Sequence, residues 1–171
     1  MDIHIREITT EDCTAVALVR VRGWQHAYAG MVPQPYLDAM SVPDESTQLY
    51  ERVVAGRGTA THLVAERGGT VVGWGCTGPG RDEDVPAGES ELYALYVMPE
   101  HLSTGVGRAL LAELTARATA SEADRMRLWV LRDNAPARRF YEKAGFAPDG
   151  GEGQFEIEGT TVREVRYARD L

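Results

Sequence analysis

The segment from Glu91 to Leu111, ELYALYVMPEHLSTGVGRALL, constrains the fold more strongly than any other part of the chain. Its apolar and aromatic start predicts a strand over Leu92–Val97, and the run RALLAELTARA predicts a helix from about Gly105 to Ala120. Only a short loop that contains Pro99 separates the two. The segment therefore predicts a strand that leads directly to the start of an apolar helix.

The start of this helix is a candidate anion site. The first amides of a helix have no intrahelical acceptor, and the helix dipole adds partial positive charge there. The glycines of Gly105-Val106-Gly107 let a phosphate group approach the backbone closely. A glycine-containing turn selected only for packing is the alternative. The Walker pattern is absent, and Leu110 stands where a dinucleotide fingerprint needs its third glycine.

The other patterns predict an α/β chain with a mixed, largely antiparallel sheet and helices on both faces. A length of 171 residues with 43% hydrophobic content is typical of a single domain, which we expect to span residues 1–171. The further predicted helices are at Thr9 or Thr10 to about Gly30, Tyr36–Met40, Pro43–Ala55 and Ala135–Ala144, and Gly56 and Gly58 are predicted to end the third of them. Single strands are predicted at Ile3–Ile8 and Met126–Leu131. Two hairpins are predicted, one of Thr61–Arg67 and Thr70–Cys76 with its turn at Gly68-Gly69, and a closing one from Phe146 to Asp170.

A second motif, LRDNAPARRFYEKAGF, covers Leu131–Phe146. Asn134 is a good N-cap for the helix that follows it, whatever the function of the chain. Tyr141, considered alone, is more readily explained as a core aromatic residue.

Together, the two motifs resemble those of the GNAT superfamily of acetyl-CoA-dependent N-acetyltransferases. The family's usual core, Q/R-x-x-G-x-G, aligns with Leu102-Ser103-Thr104-Gly105-Val106-Gly107, so that Leu102 departs from the pattern. The stretch GWQHAYAGMVPQPYL and the ending EVRYARDL look like a bacterial subgroup whose acceptors are often unassigned.

The resemblance implies a GNAT-like fold, acetyl-CoA as the acetyl donor, no metal and a possible homodimer. It implies that the pyrophosphate of coenzyme A is held mainly by backbone amides, that Asn134 contacts the pantetheine arm and that Tyr141 lies near the thioester sulfur. The residues expected to bind coenzyme A are Leu95, Tyr96, Val97, Ser103, Thr104, Gly105, Val106, Gly107, Arg108, Asn134 and Tyr141.

Transfer to an amine requires deprotonation of the ammonium, attack on the thioester and stabilisation of an oxyanion. Glu91 stands at the spacing at which some family members carry a general base, acting directly or through water, although a solvated strand-entry carboxylate is an equal alternative. We expect Tyr141 to protonate the leaving thiolate and a backbone amide near Leu95–Val97 to face the oxyanion. A covalent route through Cys76 or Cys13 is disfavoured, because no histidine neighbours Cys76 in sequence.

We expect the acceptor to lie between the first helices and the closing hairpin, where Trp24 and Tyr28 are candidate walls and Glu91 a further contact. Trp24 and Tyr28 share a helix face, a spacing that core packing also uses. The acidic residues Asp82, Glu83, Asp84, Glu89 and Glu91 favour a small cationic amine. The alternatives are a peptide or protein N-terminus as acceptor, a non-catalytic coenzyme A sensor, and a nucleotide-binding domain with Asp133 as ribose reader.

Charge and cysteine content exclude other classes. A net charge of −8 disfavours a nucleic-acid partner, and the two cysteines form neither a disulfide framework nor a zinc pattern. Apolar runs are too short to span a membrane, and the first residues lack a signal-peptide pattern, so we expect a cytoplasmic enzyme without a membrane partner.

Overall fold

The computed structural model describes residues 2–55 and 59–171. Most elements lie within about two residues of their predicted bounds, whereas the first helix is shorter and the third strand longer than predicted. The predicted end of the third helix at Gly56 and Gly58 lies outside the described residues. The helices are α1 (Cys13–Ala27), α2 (Gln34–Asp38), α3 (Val42–Ala55), α4 (Val106–Ala120) and α5 (Ala135–Lys143), and the strands are β1 (Ile3–Glu7), β2 (Thr61–Arg67), β3 (Thr70–Pro79), β4 (Ser90–Val97), β5 (Arg125–Leu131), β6 (Ala147–Ile157) and β7 (Thr160–Asp170).

The strands form one sheet in the order β1-β2-β3-β4-β5-β7-β6. Every neighbouring pair is antiparallel except β4 and β5, which are parallel. Their pairing extends only from Ser90 opposite Met126 to Leu92 opposite Leu128, and beyond it the two strands diverge. The predicted fold class is confirmed, and the divergence creates an opening between the second half of β4 and the end of β5.

A β-bulge accounts for the place where β4 leaves β5. Cys76 of β3 pairs with Ala94, whereas the next residue, Thr77, pairs with Leu92, so that Tyr93 is an extra residue in β4. Such a residue bends a strand and increases its local twist. The bend begins immediately after Leu92, the last β4 residue that pairs with β5.

Helices pack on both faces of the sheet, as predicted. On one face, Gly23 of α1 lies against Tyr96 of β4, and on the other α4 lies over β3. A Cβ atom at Gly75 would lie 2.6 Å from Leu114 of α4, so glycine is needed for this close approach. Within residues 2–55 and 59–171, helices are all too short or too polar to cross a membrane.

The turn before α1 is held by a charged group that gives a testable pH dependence. The Arg6 guanidinium donates to both carboxylate oxygens of Asp12, at 2.7 and 2.9 Å, and the Thr9 amide donates to Asp12 at 2.7 Å. The Arg6 hydrogen bonds are the largest cause that lowers the Asp12 pKa to about 2. Because the folded-state pKa is depressed, this carboxylate stabilises the fold above its unfolded pKa and loses that effect as pH falls through about 2.

Asp12→Asn should therefore lower the free energy of unfolding by about 2 kcal/mol at pH 7. The difference from wild type should shrink as pH falls from about 4 toward 2. Urea unfolding across this range measures it, with Asp2→Asn, at an exposed position, as the matched control. A difference that stays constant with pH would show that the carboxylate charge is not responsible.

Candidate active site

The loop before α4 has the geometry expected of an anion site. Gly105 adopts a φ of 95° as the N-cap, and Ser103 also has a positive φ of 59°. The first backbone hydrogen bond of the helix runs from the Ala109 amide to the Gly105 carbonyl, at 3.0 Å. In the described part of the chain, the amides of Val106, Gly107 and Arg108 have no acceptor, so three donors of a 15-residue helix are free for a phosphate group.

Gly107 lies where α4, α5 and β4 meet. A Cβ atom there would stand 3.4 Å from the Phe140 ring of α5 and 3.8 Å from Val97 of β4. In the same loop and the first turn of α4, Ser103, Thr104 and Arg108 are exposed. The start of α4 therefore lies beside Val97, at the end of β4 that borders the opening between β4 and β5.

The opening also exposes backbone amides of β4. The Met98 amide donates to the Val72 carbonyl of β3 at 2.8 Å. Since backbone groups alternate along a strand, the amides of Val97 and Leu95 point away from β3, toward the opening. The Tyr96 amide points toward β3, so Tyr96 can contribute its side chain to the site but not its amide.

Asn134 begins α5, as predicted. Its Oδ1 accepts a hydrogen bond from the Ala137 amide at 3.3 Å, and the residue is buried. Its side-chain NH2 group makes no hydrogen bond within the described residues. The cap role is confirmed, and donors remain available for a ligand.

Tyr141 is held by aromatic neighbours. Its ring packs edge to face against Phe140 and Phe146, with centroids 5.2 and 5.9 Å apart. Burial, and secondarily the phenol of Tyr96, raise the pKa of Tyr141 far above its ordinary value. The hydroxyl therefore keeps its proton at neutral pH and has no hydrogen-bond acceptor among the residues that the structure describes.

The phenols of Tyr28 and Tyr96 lie near that of Tyr141. Their hydroxyls are 3.4 Å apart, and burial is the main cause that raises the pKa of Tyr28. Trp24 packs edge to face on Tyr28 at 4.8 Å. Trp24 and Tyr28, which are predicted to contact the acceptor, thus pack against each other, and the Tyr28 hydroxyl connects α1 to Tyr96 of β4, beside the opening.

A small cavity lies between the connection after α1, the end of β5 and the closing hairpin. Its volume is about 70 Å³. The residues that line it are Met31, Leu131, Arg132, Asp133, Thr161, Val162 and Arg163. None of the residues predicted to contact the acceptor, Trp24, Tyr28 and Glu91, lines it.

Glu91 is a buried carboxylate with a specific partner. Its side chain is 5% exposed, and Arg81 binds both oxygens: the Arg81 amide donates to Oε1 at 3.0 Å and the guanidinium to Oε2 at 2.6 and 3.1 Å. The Arg81 side chain, 62% exposed, stacks over the Tyr93 ring at 3.8 Å. Glu91 is therefore not a solvated carboxylate, and only a movement of Arg81 would free it.

Most carboxylates of the predicted acidic cluster form ion pairs with arginines. Arg166 binds Asp82 and Asp84, Arg127 binds Glu89, and Arg81 binds Glu91. Because Arg127 and Arg166 also bind Asp149, three guanidiniums meet five carboxylates, and the cluster keeps a net negative charge. The structural effect of these ion pairs is to tie the loop before β4 to β5 and β7.

Glu164 of β7 is a carboxylate that the sequence did not single out. It pairs in register with Leu131, on the face of the sheet that carries Glu91, and makes no ion pair with a described residue. Burial raises its pKa, and the charges of Asp82 and Glu91 raise it further. In the sequence, only the alternation of side chains along EVRYARDL could have indicated that Glu164 lies on the same face of the sheet as Glu91.

The structure also brings a histidine to Cys76. His62 Nε2 lies 3.6 Å from Cys76 Sγ, and Trp74 Nε1 donates to His62 Nδ1 at 3.3 Å. That bond places the neutral ring's proton on Nε2, so His62 cannot accept the thiol proton. Burial raises the pKa of Cys76 to about 12, which further disfavours a covalent route. Among the residues described, no cluster of three or more potential metal ligands occurs.

Comparison with known proteins identifies the family. The model of the acetyltransferase (GNAT) family matches residues 22–146. An uncharacterized N-acetyltransferase of Bacillus subtilis, YuaI, is 30% identical over 95% of this chain and 90% of its own length. A spermidine N(1)-acetyltransferase of Thermoplasma acidophilum is 26% identical over 90% of this chain and 93% of its own length.

A solved structure shows the same fold. The PaiA N-acetyltransferase of Thermoplasma acidophilum, crystallised with coenzyme A, aligns over 100% of both chains with a TM-score of 0.80 at 23% identity. The predicted family, fold and activity are thus confirmed. This chain belongs to the GNAT family and is an N-acetyltransferase that uses acetyl-CoA as its acetyl donor.

Proposed function

We propose that the chain transfers an acetyl group directly, in a ternary complex, to a primary amine of a small cationic molecule. The observation that carries this proposal is Glu164, a half-buried carboxylate without a cationic partner among the described residues, near Glu91 and Asp82. A carboxylate in this state is stabilised by an incoming cation. The similarity to a spermidine acetyltransferase supports the same substrate class.

The residues around the opening fit acetyl-CoA. We assign its pyrophosphate to the Ser103–Arg108 loop, because three amides at the start of α4 are free. The amides of Leu95 and Val97 and the free NH2 group of Asn134 would hold the extended arm. When bound, acetyl-CoA supplies a thioester carbonyl for attack and a thiol as leaving group.

Glu91 is the proposed proton acceptor for the amine. Its carboxylate is buried and fixed, whereas the Arg81 side chain that covers it is mostly exposed and can move. An ammonium group that takes the place of the guanidinium would keep the charge of Glu91 compensated. Glu91 would then accept the proton, directly or through water.

Tyr141 is the proposed proton donor to the leaving sulfur. Its hydroxyl is protonated and has no acceptor in the described part of the chain. The phenols of Tyr96 and Tyr28 lie near it and keep the surroundings polar but uncharged.

A thiol-release assay with acetyl-CoA across an amine library tests the proposed function. We expect polyamine-like and other small cationic amines to be the best acceptors. If only peptide N-termini are acetylated, the acceptor is a peptide or protein N-terminus and not a small cationic amine. Thermal stabilisation by coenzyme A without turnover on any amine would contradict the proposal and favour a binding role.

Glu164→Gln should raise KM for a cationic acceptor about tenfold, which corresponds to about 1.4 kcal/mol of lost binding. The same variant should raise Tm at pH 7, because the raised folded-state pKa means that ionisation of Glu164 opposes folding. The gain in Tm should diminish near pH 4. Glu152→Gln is the matched control, since Glu152 is exposed and pairs in register with Val165, on the opposite face. An unchanged KM would remove Glu164 from the acceptor site.

A further inference from the structure

Arg67, at the end of β2, reaches the loop before α4 from a distant part of the chain. Its Nη1 donates to Thr104 Oγ1 at 3.0 Å and its Nη2 to the Thr104 carbonyl at 3.3 Å. The same Nη1 lies 3.1 Å from Nδ1 of His101. One guanidinium thus bridges both ends of the His101–Thr104 turn.

These contacts hold Thr104, the residue immediately before the N-cap of α4. In a regular helix, the Thr104 carbonyl would accept from the Arg108 amide, four residues later. Here Arg67 occupies that carbonyl, and the first helical bond is the one from Ala109 to Gly105. Gly105, with its φ of 95°, is the N-cap, so Thr104 lies outside the helix and the Arg108 amide is free, while Arg67 fixes the position of Thr104.

The charge of Arg67 is also uncompensated. No carboxylate of the described residues lies within 4.0 Å of its guanidinium, and its Nε is buried without a hydrogen-bond partner there. A guanidinium beside free helix amides increases the attraction for an anion. Leu102, at the position where a polar side chain is expected, is 43% exposed and contributes neither charge nor hydrogen bond.

We propose that Arg67 is the positioning residue of the phosphate loop: it holds Thr104, and with it the turn that precedes the free α4 amides, and it supplies the positive charge that Leu102 lacks. The ligand group is the phosphate of the acetyl donor, and the proposal rests on the proposed placement of acetyl-CoA at this loop. Its effect is on donor binding and not on the transfer step.

The test compares Arg67→Gln and Arg67→Lys with wild type in steady-state kinetics. Arg67→Gln should raise KM for acetyl-CoA tenfold or more while kcat stays within twofold. Arg67→Lys should recover part of the loss, since it keeps the charge but cannot bridge both Thr104 oxygens and His101. With acetyl-pantetheine, which has no pyrophosphate, the two variants should match wild type. With 3′-dephospho acetyl-CoA the loss should persist if the pyrophosphate is the group bound, and should vanish if it is the 3′-phosphate.

A second-site variant makes the test independent of local folding. Leu102→Arg in the Arg67→Gln background should lower KM for acetyl-CoA again, because it restores charge to the loop. Arg125→Gln, which removes an arginine paired with Asp170 at the other end of β5, is the matched control and should leave KM unchanged. Equal KM values for Arg67→Gln and wild type, or an equal loss with acetyl-pantetheine, would overturn the inference. Absence of acetyl-CoA binding by wild type would instead refute the placement of the donor.

Discussion

Tyr141→Phe is expected to lower kcat by about 10²- to 10⁴-fold, the range that removal of a general acid produces. KM for acetyl-CoA should stay within about twofold, because the ring packing on Phe140 and Phe146 is retained. The variant loses only a hydroxyl that is protonated at neutral pH. Steady-state kinetics with a saturating amine measure both constants.

A second acetyl donor tests whether the loss of activity comes from the loss of a proton donor. A thioester of a more acidic thiol needs less protonation on departure, so Tyr141→Phe should lose much less activity with it than with acetyl-CoA. Tyr50→Phe, at a half-exposed position of α3, is the matched control. An unchanged kcat would remove Tyr141 from the mechanism, and an equal loss with both donors would show a role in positioning instead.

The sequence predicts the fold well because its signals are local. Gly68 and Gly69 both adopt positive φ in the predicted hairpin turn, and the apolar runs of β2 and β3 are buried over consecutive residues, as expected for strands covered on both faces. The divergence of β4 and β5 has a less visible origin. It starts at Tyr93, an extra residue that exists only relative to the register of β3, and no local pattern shows that register.

In the candidate site too, features that depend on neighbouring residues were predictable, whereas contacts between distant segments were not. The loop before α4 and the Asn134 cap depend on backbone geometry within a few residues, and the structure shows the helix start and the cap where they were predicted. Arg67, Arg81 and Glu164 were missed because each acts on a residue from another strand or loop. Leu102 illustrates the consequence: the departure from the family pattern is visible in sequence, whereas the arginine that reaches the same loop is visible only in the fold.

Glu91→Gln is expected to lower kcat by about 10²-fold or more, with a small effect on KM for acetyl-CoA. The change preserves shape and a hydrogen-bond acceptor for the Arg81 amide but removes the proton acceptor. The measurement is kcat with saturating acetyl-CoA and the best amine of the library. Glu89→Gln, which breaks a pair with Arg127, should lower stability and not kcat.

The Arg81 partner decides between two roles for Glu91. If Glu91 only anchors Arg81 and the loop before β4, Arg81→Gln should reduce kcat as much as Glu91→Gln, and the double variant should be no worse than either. If Glu91 accepts the proton, Arg81→Gln should cost less than fivefold in kcat, because the carboxylate remains, while Glu91→Gln keeps its full effect in the Arg81→Gln background. The mostly exposed side chain of Arg81 and the buried one of Glu91 favour the second result, since the arginine can leave and the carboxylate cannot. Equal losses for the two single variants would therefore remove Glu91 as the base.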